Sequence, residues 1–135
     1  MKRPLSGIAT DGAHSTRERS TSFRAVDLSS GKELFREEIG NWTNNIGEFL
    51  ALVHGLALLK QKGSSLPIYS DSRNAIGWVK KKKCKTLLER VPENEPIFDM
   101  IERAEKWLKT DSYTAPILKW ETSEWGEIPA DFGRK

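Results

Sequence analysis

The sequence predicts an α/β fold with elements in the order βββαβααβα, and three observations carry that reading. Two strand-like runs, Ser22 to Leu28 and Lys32 to Gly40, are joined by Ser29-Ser30-Gly31, residues suited to the turn of an antiparallel hairpin. The segment from Thr43 to Lys62 is apolar almost all round, as a buried helix is. Beyond it, short strand-like runs at Leu66 to Ser70 and Pro116 to Trp120 alternate with segments of helical spacing.

Taken in order, Ser6 to Thr10 reads as the first strand, ending at Asp11-Gly12, a pair that tolerates the backbone angles of a tight turn. The hairpin supplies the second and third strands. Thr43 or Asn44 caps the long helix by accepting from an otherwise unpaired amide, and Gly63 closes it. After the fourth strand, Asp71-Ser72 opens a second helix that runs into a lysine-rich stretch. Pro92 to Pro96 begins a third, in which Ile97, Met100, Ile101, Ala104, Trp107 and Leu108 recur at helical spacing. A polar loop then follows the fifth strand, and Pro129 suits the first turn of a short last helix. No repeat or low-complexity linker interrupts the pattern, so residues 1–135 read as one domain.

A chain of 135 residues buries roughly two-thirds of its unfolded surface, so its stability requires neither disulfides nor a structural metal. Cys84, the single cysteine, has no internal bridging partner and favours a reducing compartment. The N-terminus carries no apolar signal region, and the longest apolar run, Phe49 to Leu59, is too short to span a membrane. A cytoplasmic protein without membrane contact is expected. The net charge is only +3, but Lys80, Lys81, Lys82, Lys83 and Lys85 crowd one short stretch. Such a run is ordinarily a solvated helix end; Trp78 beside it adds a surface on which a sugar or base can pack while ammonium groups meet phosphates.

Four carboxylates lie far apart in the chain: Asp11, Glu48, Asp71 and Asp131. Three have ordinary explanations taken singly: a turn at Asp11-Gly12, a helix cap at Asp71-Ser72, and a favourable helix dipole at Asp131. Glu48 resists one, because it shares a helix face with Leu52, Gly55 and Leu59, and no Lys or Arg stands three or four positions away. An ionised carboxylate there costs several kcal/mol unless a cation or strong donors meet it. A metal ion is a good candidate for that partner, and an acidic cluster on a basic protein points to divalent cations and phosphate chemistry.

With Thr10-Asp11-Gly12, Thr43-Asn44-Asn45 leading to Glu48, Ser70-Asp71-Ser72, and Ala130-Asp131 followed by Arg134, the chain resembles the type 1 ribonuclease H family over nearly its full length. The resemblance implies a ribonuclease H-like fold, a five-stranded mixed sheet flanked by helices. It also implies an endonuclease that cuts the RNA strand of RNA/DNA hybrids to 5′-phosphate and 3′-hydroxyl ends. Asp11, Glu48, Asp71 and Asp131 would hold two Mg²⁺ ions, with Mn²⁺ able to substitute. Unfilled, such a cluster is expected to repel itself and raise at least one carboxyl pKa. Gly12, Asn44, Asn45 and Ser72 would meet the hybrid, with Asn44, Asn45 and Glu48 near the 2′-hydroxyls that distinguish RNA from DNA. Trp78 with Lys80, Lys81, Lys82, Lys83 and Lys85 would form a basic handle on the DNA strand, and Arg73 and Asn74 would support the site.

Two departures from the family stand out. A histidine usual on the loop before the last helix is absent from residues 121–128, where Glu124, slightly favoured, or Glu127 would substitute as proton shuttle, unless both are ordinary loop acids. His14 follows Asp11 closely enough to approach the site, although the favoured reading is a surface-loop residue, and His54 reads as structural. The second departure is the short tail after Asp131, so deletion of residues 132–135 is expected to lower metal affinity and activity. A monomer with no obligate protein partner is expected. The competing readings are a non-catalytic hybrid or single-strand binding module of the same fold, and a nuclease acting on DNA.

Overall fold

A computed structural model describes residues 2–132, so Arg134 and the rest of the terminal tripeptide lie outside the described residues. The strands are β1 (Ile8–Ser15), β2 (Ser20–Asp27), β3 (Glu33–Gly40), β4 (Ile68–Ser70) and β5 (Ile117–Lys119). The helices are α1 (Asn44–Gln61), α2 (Arg73–Lys81), α3 (Glu95–Thr110), entered through a 3-10 turn at Pro92–Asn94, and α4 (Thr122–Trp125). One five-stranded sheet runs in the order β3-β2-β1-β4-β5. Its first three strands are antiparallel, whereas β4 pairs parallel with both β1 and β5. The mixed sheet with flanking helices is the fold expected.

Strand periodicity divides the core in two, because successive side chains point to opposite faces. Ile8, Ala25 and Ile68 join Phe49, Leu52 and Leu56 of α1, Val79 of α2 and Ile101 of α3 on one face. Their neighbours Ala9, Val26 and Tyr69 face the other way, onto Trp120, Ile128 and Ala130. Helix α1 lies close on the sheet because Gly55 leaves room: a Cβ there would run into Ile68 Cδ1. Trp120 is fully buried, meets Tyr69 and Trp125 edge-on, and donates its indole N–H to Gly126 O at 2.9 Å.

Two elements differ from expectation. Strand β1 does not end at Asp11-Gly12 but continues to Ser15, because Asp11 and Gly12 have ladder partners in Arg24 and Phe23. The turn falls at Thr16 to Arg19, where Arg19 takes the left-handed conformation with φ 52°. At the other end, Pro129 starts no helix: residues 129–130 form a turn, closed by the Asp131 N–H on Ile128 O at 2.9 Å. The short helix is instead α4, inside the segment read as a polar loop, where packing Trp125 on Trp120 draws the chain into one turn. Among the described residues no helix is long and apolar enough to cross a membrane.

Candidate active site

Glu48 is placed by the start of α1. Thr43 caps the helix, its hydroxyl accepting from Ile46 N at 3.3 Å, and the first turn then presses onto β1. That approach needs glycine on the strand, since a Cβ on Gly12 would lie 2.5 Å from Glu48 N. The same contact lets the Gly12 N–H donate to Glu48 Oε1, and Glu48 is only 5% exposed.

Asp11 follows on β1 just past the residues paired with β4, Ile8 with Ile68 and Ala9 with Tyr69. Since β4 stops at Ser70, Asp71 emerges beside it. Ser72 takes the cap of α2, accepting from Ala75 N at 3.1 Å, so the Asp71 carboxylate is not spent on capping. One oxygen from each of Asp11, Glu48 and Asp71 lies within 4.8 Å of the others. Asp131 is not in that closest group but lines the same cleft of about 710 Å³. Its neighbour Phe132 donates a backbone hydrogen bond to Asp11.

Burial, then the nearby Asp71 charge, pushes the Asp11 carboxyl up to about 7, and a hydrogen bond from Glu48 partly offsets this. Glu48 is raised further, to about 10, by burial and then by Asp11 and Asp71. The expected self-repulsion is therefore present. The donor set is all oxygen, concave and short of positive charge, which is what hard divalent cations such as Mg²⁺ or Mn²⁺ take. These residues fit such ions.

Around this cluster the cleft is lined by Gly12, Asn44, Thr43, Trp42 and His14. Thr43 also borders a second cleft of about 620 Å³ formed with Asn45, Asn74, Trp78, Lys85 and Thr86. The two clefts adjoin across the α1 N-terminus, so Asn44 faces the acids and Asn45 the Trp78 side. Other expected residues stand elsewhere. Lys80, Lys81 and Lys82 are exposed at the end of α2, where Lys82 turns the chain in the left-handed conformation, and they line neither cleft. Lys83 pairs with Glu105 at 3.6 Å. Ser72 serves the cap, and exposed Glu124 and Glu127 line neither cleft, because α4 is folded back on Trp120.

Sequence reasoning ranks His14 as a surface-loop residue ahead of a site residue because it ends β1 at Asp11-Gly12. On the longer strand His14 shares a face with Gly12, and its Nδ1 lies 2.9 Å from Thr21 Oγ1. That hydroxyl oxygen also accepts from Trp42 N at 2.9 Å, tying the histidine to the cleft wall. No apolar alternation runs on past Asp11, so only the ladder with β2 reveals the longer strand.

Solved structures similar to this chain include three RNase H or reverse transcriptase proteins. The RNase H domain at the N-terminus of a Mycobacterium tuberculosis protein, solved as a fusion with maltose-binding protein, is 13% identical with a TM-score of 0.49 over 84% of this chain and 86% of that one. RNase H1 of the halophilic archaeon Halobacterium salinarum is 17% identical, with a TM-score of 0.49 over 87% of this chain and 86% of the archaeal one. Prototype foamy virus protease-reverse transcriptase gives a TM-score of 0.51 at 14% identity, over 88% of this chain but 18% of the viral one. The sequence pattern of the RNase H family itself matches residues 6–115, from the approach to β1 through α3, and therefore takes in Asp11, Glu48 and Asp71. This chain belongs to the RNase H family.

Proposed function

We propose that the protein is an endonuclease that hydrolyses the RNA strand of RNA/DNA hybrids, leaving 5′-phosphate and 3′-hydroxyl ends. The observation that carries this is the convergence of Asp11, Glu48 and Asp71 from β1, α1 and β4 within 4.8 Å, beside a cleft that also holds Asp131. Two divalent ions, Mg²⁺ or Mn²⁺, would supply activation of the attacking water and charge stabilisation at the leaving 3′ oxygen. The four carboxylates hold the site, and Gly12 fixes Glu48 through its N–H. Asn44 and Asn45 offer amide donors and acceptors to the sugar edge, where the 2′-hydroxyl marks RNA. Trp78 and Lys85, in the adjoining cleft, suit the sugar-phosphate path of the second strand. The chain needs no protein partner for this chemistry and acts as a monomer.

The buried cluster of acids weighs against a binding module that does not cleave. Burying like charges together costs stability and repels phosphate, and a surface that only binds nucleic acid gains nothing from it. The test is cleavage of an end-labelled hybrid in Mg²⁺ and in Mn²⁺, beside duplex RNA, duplex DNA and the Asp71→Asn variant. Cutting confined to the RNA strand of the hybrid, and lost in Asp71→Asn, is expected. Tight hybrid binding without cutting in either metal overturns the enzyme in favour of the binding module, and cutting of duplex DNA overturns hybrid specificity.

A further inference from the structure

We infer that Arg24 is the positioning residue that delivers Asp131 to the acidic cluster. This rests on Asp131 serving that cluster, as proposed above. Asp131 follows a turn and belongs to no helix among the described residues, so its segment has no helical ladder to set its place. Arg24 on β2 supplies one. Its Nε donates to Ala130 O at 2.6 Å, and its Nη2 to Asp131 O at 2.8 Å and Pro129 O at 3.4 Å.

Three successive carbonyls thus meet one guanidinium, whose planar fork of donors a lysine cannot reproduce. The fork is itself held, since Nη1 donates to Glu33 Oε2 at 3.0 Å and Arg36 reaches the same oxygen at 3.0 Å. The guanidinium carbons of Arg24 and Arg36 lie 5.2 and 5.1 Å from the centre of the Phe132 ring. The Arg24 side chain is only 17% exposed.

The decisive detail is a single peptide group. Asp11 and Arg24 are cross-strand partners. Arg24 donates to the carbonyl of the Asp131–Phe132 peptide, and Asp11 accepts from the N–H of that same peptide. One cross-strand pair therefore grips both poles of the unit that follows the Asp131 Cα. A residue of the acidic cluster and its strand partner together fix where the fourth acid stands.

The test measures Mn²⁺ binding by calorimetry, without substrate, in wild type, Arg24→Met, Arg24→Lys, Asp131→Asn and the Arg24→Met/Asp131→Asn double variant. Arg24→Met is expected to weaken Mn²⁺ affinity roughly ten-fold, as loss of an orienting partner does. Arg24→Lys should lose most of the same affinity, and the double variant should bind no more weakly than Asp131→Asn. Wild-type affinity in Arg24→Met, or losses that add in the double variant, would overturn the inference. If Arg24→Met does not fold, Glu33→Gln decides: a loss in wild type that vanishes in the Asp131→Asn background supports the role, and equal losses in both refute it. Hydrogen exchange at the Phe132 amide supplies a readout independent of metal, with faster exchange expected in Arg24→Met and unchanged exchange counting against the clamp. A protein that fails to cut hybrids but passes these tests would refute the proposed activity and leave the role of Arg24 standing.

Discussion

Glu48 and Asp11 set the pH behaviour of the metal-free protein. Both carboxyls bind their protons more tightly in the fold than in an unfolded chain, so the folded state carries more protons from about pH 4 upward. Stability is therefore greatest below the unfolded values and falls as pH rises through about 7 for Asp11 and toward about 10 for Glu48. Each tenfold difference in proton affinity between the folded and unfolded chain is worth about 1.4 kcal/mol, so the cost grows steadily as pH rises from about 4 toward 7. Glu48→Gln keeps an acceptor for the Gly12 N–H and removes the charge. Thermal melts without metal should show a shallower fall from pH 5 to 8 in the variant, and millimolar Mg²⁺ should raise the wild type more. A parallel fall in both would refute this account. Glu48 was legible in the sequence because a partnerless acid on an apolar face is visible there. His14 was not, since Asp11-Gly12 resembles a turn until β2 is laid beside it.

Helix α3 carries a further buried acid. Glu105 lies on its buried face, 6% exposed, where it accepts from Cys84 N at 2.9 Å and pairs with Lys83. It thereby fixes the path of the chain leaving α2 toward Lys85 and the Trp78 cleft. Glu105→Ala leaves the buried Cys84 N–H without its acceptor, at about 1 to 3 kcal/mol. It should also weaken hybrid binding several-fold with little change in turnover, whereas Glu105→Gln, which still accepts from Cys84, should retain most of both. Denaturant unfolding beside a hybrid titration checks this; a destabilised Ala variant that binds normally would detach the basic segment from Glu105. The apolar spacing of α3 is legible in the sequence, but the role of the acid set among those positions is not. The last helix is misplaced by sequence reasoning for a related reason: Pro129 carries a local start signal, yet the Trp120–Trp125 contact that shapes the segment is tertiary.

Across the molecule, element order and the helix that carries Glu48 could be read from local pattern alone. The parallel pairing of β4 between β1 and β5, and the adjoining clefts at the α1 N-terminus, depend on contacts between residues distant in sequence. Asp131 could be assigned to the site only through family resemblance, because its own surroundings are a turn and a clamp from β2. The ends of the sheet have a further consequence. Strand β3 forms one border and carries Glu33, Arg36, Glu37 and Glu38, while β5, the other, is three residues long. Charged or very short borders resist the strand-to-strand docking by which open sheets aggregate. Sedimentation across a wide concentration range should find wild type as a single copy and the Glu37→Val/Glu38→Val variant self-associating; association of the wild type would refute this. The border charges would then be what keeps a protein with an open five-stranded sheet from aggregating.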